Sequence, residues 1–158
     1  QLDNPARGLE ALRRGLLIAQ QTGNRNNESL LAAGLSRLEA QHGDPVAALD
    51  HFTLVIRNYH DAGNIGLIPS PIASLAVNLD RVGLYEPAAT LAGFAVNPFT
   101  TATVPELSTA IAHLREVLSD ESYDAHRRKG EAMTAAEAAM YAYDQIDQAR
   151  TALTTVQE

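Results

Sequence analysis

Cysteine is absent from the 158 residues, which excludes a disulfide framework, thiolate metal sites and a cysteine nucleophile. Tryptophan is absent too, and aromatics make up only 5% of the chain. β-Branched residues nowhere alternate with polar ones in the way a half-buried strand requires, so a sheet is not expected. Positive charge is scarce. Twelve Lys and Arg stand against nineteen Asp and Glu, a net charge of −7 that argues against duplex DNA or an anionic membrane as the main partner. No apolar run approaches the roughly 20 residues of a membrane helix, and no signal-peptide pattern opens the chain. The expectation is a cytoplasmic protein without metal or cofactor. Gln1 in place of an initiator methionine adds the expectation that the chain is cut from a longer polypeptide.

What is present is 46% apolar and 20% charged, the balance of one globular domain. Ala, Leu, Glu, Gln and Arg dominate, all good helix formers. Asn4-Pro5 predicts a helix start, because Asn caps free amides and proline loses nothing at the first helical position. Leu9, Leu12, Leu16 and Ala19 then form one apolar stripe until Gly23-Asn24 stops it. A second helix is predicted from about Asn27 to Gln41. A third follows Asp44-Pro45 and runs to about His60. Ser70-Pro71 signals a fourth, Ile72 to about Arg81, and a short fifth begins near Pro87. Val96 to Val104 reads as a loop. Thr103 and Glu106 have capping-box spacing for a sixth helix through Leu118. Ser119 caps a seventh that ends at Gly130. Thr134 and Glu137 box an eighth that runs to about Ala149, followed by a frayed tail. The fold class is all-α, with about eight helices.

Shifted by about 40 residues, the chain matches its own punctuation, the period class of helical-hairpin solenoids. Asn4-Pro5 falls on Asp44-Pro45, Leu9 on Leu49, Leu12 on Phe52, Leu16 on Ile56 and Gly23-Asn24 on Gly63-Asn64. One step on, Leu35 falls on Leu75, Gly43 on Gly83 and Ala48 on Ala88. Leu35-Ser36, Gly43-Asp44, Ala48 and Phe52 resemble the tetratricopeptide repeat. The next unit keeps Leu75-Ala76, Gly83 and Ala88, but has Leu84 and Ala92 where the acid and the aromatic belong. The tryptophan and tyrosine of the pattern are missing, at Ala32, Ile72 and Glu39. The resemblance implies a right-handed superhelix. Residues 1–97 would be degenerate repeats, the first truncated, and 98–158 the closing helices of the same domain. The segment from Leu118 to Ala142, with Gly130, Met133-Thr134 and Glu137-Ala138, resembles the end of a group of bacterial, often actinobacterial, regulators. Those proteins join an ATPase module to repeat helices and carry nucleotide cyclase or LuxR-type DNA-binding domains. None of the motifs for those activities lies in this chain.

Few residues invite catalysis. Asp50-His51 and His60-Asp61 are sequence neighbours, which do not face one another on a helix, and no His-x3-His spacing exists. The five histidines read as surface or cap residues. Gly63-Asn64-Ile65-Gly66 is followed by no Lys-Ser/Thr and preceded by no strand, so it is a helix stop and not a phosphate cradle. His126-Arg127-Arg128-Lys129 suits a helix C-terminus. The chain is therefore expected not to be an enzyme.

Surface shape remains. In stacked helix pairs the first helix of each pair lines the concave side. The tetratricopeptide register places Leu30, Ala33, Arg37 and Gln41 there from one unit, and Ala73, Val77 and Arg81 from the next. Arg37, Gln41, Val77 and Arg81 are the candidate partner-binding residues, the guanidinium groups gripping a carboxylate or backbone carbonyls. The reading is a non-catalytic interaction module that binds a protein segment, another domain of the parent chain or a small effector, and touches neither nucleic acid nor membrane. The alternative is a structural spacer or dimerisation element that uses the Ala-rich faces at Ala88-Ala89 and Ala135 to Ala139.

Overall fold

The computed structural model describes residues 4–155, and among them it is all-α. The helices are α1 (Pro5–Gln21), α2 (Arg25–His42), α3 (Pro45–Asp61), α4 (Pro69–Arg81), α5 (Tyr85–Ala95), α6 (Pro98–Thr103), α7 (Glu106–Leu118), α8 (Asp120–Glu131) and α9 (Ala135–Thr155). A single 3-10 turn, Ile65–Leu67, leads into α4.

The helix starts follow local chemistry. The Asn4 side chain accepts from the amides of Ala6 and Arg7, and that of Asp44 from Val46. Thr134 and Glu137 form the reciprocal box at the head of α9, each backbone N–H donating to the other's side chain at 3.2 Å. The two Gly-Asn stops are also equivalent. Gly23 and Gly63 take φ of 67° and 72°, a conformation in which a side chain would be strained. In each case the following Asn donates back to the carbonyl five residues earlier, Ala19 or Tyr59. This helix-closing motif recurs at the end of α4, where Gly83 has φ 84° and Leu84 donates to the Leu79 carbonyl. Gly43 and Gly83 differ, since Gly43 has φ −125° and Gly83 has φ +84°.

Four expectations need correction. The predicted loop at 96–104 holds α6. Asn97 and Thr100 make a full capping box there, with Pro98 in the first turn. This is the Asn-Pro signal of α1 again, hidden by the surrounding threonines. Ser70 does not cap α4, because that helix begins at Pro69 straight from the 3-10 turn. Thr103 and Glu106 form no capping box. Thr103 donates to the Phe99 carbonyl and α7 starts without a side-chain cap, leaving the Glu106 carboxylate for another use. The tail expected to fray beyond Ala149 instead continues α9 as far as Thr155, and its residues 156–158 lie outside the described ones.

The helices share one continuous apolar core, from Leu9 in α1 to Ala149 in α9. Helix α2 packs on both α1 and α3, α4 on α5, and α5 on α8, while α9 runs back across α3. The α5–α8 crossing is close. A Cβ built on Gly130 would lie 1.9 Å from the Thr90 carbonyl oxygen, and one on Gly93 would lie 2.3 Å from that of Arg127. Two backbones touch where large side chains are lacking. The Ala-rich stretches serve the same end in part: Ala88, Ala89, Ala138 and Ala139 are wholly buried within the chain, while Ala135 is half-buried and Ala136 exposed at the head of α9.

Two stability changes are expected. Gly130→Ala should cost about 3 kcal/mol, the upper part of the range for overpacking, because backbone and not a flexible side chain blocks the methyl group. In thermal unfolding this is a fall of roughly 10 °C. Ser119, between α7 and α8, has φ 73° and ψ 157°, a region essentially reserved for glycine. Ser119→Gly should therefore raise stability by about 1 kcal/mol, after loss of its side-chain bond to the Ser122 amide. Urea unfolding measures both.

Candidate functional site

The four candidate residues come together. Arg37 and Gln41 on α2, and Val77 and Arg81 on α4, all border one small cavity of about 10 Å³. Ala40, Ser74 and Asn78 of the same two helices line it too, and its remaining wall is Val104 with Glu106 at the head of α7. The cavity is small because these two residues reach into the groove: Val104 is buried, and Glu106 is held by Arg37.

Arg37 donates through Nη2 to both Glu106 oxygens, at 2.9 and 2.7 Å, and through Nη1 to the Thr103 carbonyl at 3.2 Å. Gln41 Nε2 donates to Glu106 Oε1 at 2.9 Å. Burial would raise the Glu106 pKa, but the Arg37 hydrogen bond and charge, a backbone bond and the Gln41 amide outweigh it. Together they hold the carboxyl below its usual range. Arg81 makes no ion pair among the described residues and is exposed. Beneath the bridge lies Asn78, 1% exposed, with neither side-chain Oδ1 nor Nδ2 hydrogen-bonded. A buried amide left unpaired costs free energy that a ligand or water could recover.

The Arg37–Glu106 bridge divides the groove. On one side is a depression of about 350 Å³ that includes Asp80, Arg81 and His113. On the other is one of about 330 Å³ between Ser36, Pro71 and Phe99. Of the other groove residues, Ala33 borders the second depression, Ala73 is buried in the core and Leu30 is 59% exposed.

Two histidines are engaged with buried carboxylates, His51 half-buried and His113 at an exposed position. His51 turns from Asp50 and meets the buried Glu39 carboxylate at 2.6 Å, while Arg13 grips the other oxygen at 3.0 Å. His113 contacts the buried Asp80 at 2.7 Å, its ring edge-on to Tyr85. In both cases the partner lies on another helix, which residue-neighbour reasoning does not reach. Among the described residues no group of three or more His, Asp or Glu is placed to hold a metal ion, and no helix is long and apolar enough to cross a membrane. Arg127 in the basic cluster is committed to Asp124 and Glu131.

The groove residues that sequence reasoning missed are Asn78 and Glu106. A polar residue within the apolar run Leu75-Ala-Val-Asn-Leu79 was the available sign for Asn78. The weak geometry of a capping box containing Pro105 was the sign for Glu106. No protein-family description, curated protein or solved structure matches the chain.

Glu106→Gln should cost about 1 kcal/mol at neutral pH, discounted because the bridge is partly exposed. The depressed carboxyl pKa makes this contribution complete above the unfolded-state pKa and removes it as pH falls through the folded value. Wild type and Glu106→Gln should therefore converge in stability on acidification, as followed by urea unfolding at a series of pH values.

Proposed function

We propose that the chain is a non-catalytic helical-repeat interaction module of a multidomain bacterial signalling or transcriptional regulator. It binds a protein segment or a small effector and relays that event to an ATPase or output domain. The observation that carries the reading is the unpaired, buried Asn78 amide in a groove whose cation already grips a carboxylate. Glu106 occupies Arg37 as a ligand carboxylate would. The Asn78 side chain can serve both an N–H and a C=O of an extended segment. The module then has a latched and an open form. A partner that replaces Glu106 on Arg37 favours the open form, provided it binds that form more tightly. The release of α6 and the head of α7 is the signal passed on.

The test is fluorescence polarisation with a library of peptides that end in a free carboxylate, alongside their amidated counterparts. Carboxylate peptides should bind Glu106→Gln about tenfold more tightly than wild type, and Arg37→Ala should lose them. If Glu106→Gln, folded by circular dichroism, binds none of them, the bridge is a structural clasp. The spacer reading, favoured by the mutual satisfaction of Arg37 and Glu106, then replaces this one.

A further inference from the structure

A second cleft, of about 540 Å³, opens on the far side of the α5–α8 crossing, and α9 forms its third wall. This volume falls within the range of about 300–1,000 Å³ typical of small-molecule sites. Its polar lining comes from all three helices: Glu86 and Thr90 of α5, His126 and Lys129 of α8, Tyr141 and Gln145 of α9. Pro87, Met133, Ala149 and Ala152 supply an apolar strip. On α9 the lining residues follow at 141, 145, 148, 149 and 152, one face of a helix.

The hydrogen-bonding groups at its base are organised. Thr90 donates its hydroxyl to the Glu86 carbonyl at 3.2 Å, and His126 Nδ1 lies 3.5 Å from the Thr90 oxygen. Burial, the largest influence on Tyr141, raises its phenol pKa against the lowering effect of a bond to Thr90, so the hydroxyl stays protonated. The charges at the cleft are unspent. Most arginines of the α7–α8 corner are paired with carboxylates, yet neither Lys129 nor Glu86 makes an ion pair among the described residues. A simple anion drawn to Lys129 would face the Glu86 carboxylate, and a simple cation drawn to Glu86 would face Lys129. A molecule carrying both charges satisfies both.

We propose that this cleft binds a small zwitterion of the α-amino-acid class, a free aliphatic amino acid or dipeptide. Its carboxylate meets Lys129 and His126, its ammonium meets Glu86, and its side chain lies on the strip of Pro87, Met133 and Ala149. The Gln145 amide and the Tyr141 hydroxyl complete the polar shell. This deepens the small-effector arm of the proposed function, but it depends on no groove residue. Because α5, α8 and α9 all contribute, occupancy tightens the contact between the repeat hairpins and the closing helices.

The test is isothermal titration of the whole chain with L-leucine, L-methionine and leucylalanine, and with two truncated probes. Leucinamide lacks the carboxylate and 4-methylpentanoate lacks the ammonium. At least one zwitterion should bind saturably, with both truncated probes at least tenfold weaker. Lys129→Ala and Glu86→Gln, both at exposed positions and checked by circular dichroism, should each weaken it at least tenfold, while Arg37→Ala should not. Absence of saturable binding by all three zwitterions overturns the proposal. So does a truncated probe that binds as well as its parent, or unchanged binding in the two cleft variants. Loss of peptide binding in the groove with cleft binding intact counts against the groove reading alone.

Discussion

Everything in the second half of the molecule is referred to the place where α5 and α8 touch backbone to backbone. With Gly93 and Gly130 at the contact, the axes approach more closely than side-chain packing would allow, and α8 has a single seat. That seat fixes the direction in which α7 enters. It also leaves the gap between α5, α8 and α9 that forms the larger cleft. A chain with no tryptophan and three phenylalanines has little bulk with which to fill wide spaces between helices. Close approach through Gly and Ala is the alternative that still excludes water.

Polar keys complement this apolar economy. Glu39, Asp80 and Glu106 sit on different helices, and each reaches a cation or histidine on a neighbouring one. Glu39 stands where the repeat pattern would place an aromatic. Such contacts add little net stability, but they are directional. Sliding α1 or α3 by one turn along α2 would take from the buried Glu39 carboxylate one of its two partners, so the alternative registers available to a smooth Ala/Leu surface are penalised.

The fold was legible where the signal is local. Caps at Asn4, Asp44 and Thr134 and the paired stops at Gly23 and Gly63 depend on two to six consecutive residues, and α1 to α3 and the start of α9 follow from them. Helix α6 was missed although Asn97-Pro98 repeats the signal of Asn4-Pro5, because a threonine cluster outweighed it. The candidate groove was half legible. Helical spacing puts Arg37 with Gln41 and Val77 with Arg81, and the repeat offset sets the two helices side by side. That Glu106 fills the space between them depends on a contact 69 residues away in sequence, which no periodicity encodes. The cleft was invisible for the same reason, since its walls meet only through the α5–α8 crossing.

Helix α9 closes on α3, and Arg150 bonds Asp50 across a separation of 100 residues. On a ribosome adding about 5–20 residues per second, α3 therefore emerges roughly 5–20 s before the helix that covers its outer face. During that interval the face is an exposed apolar strip.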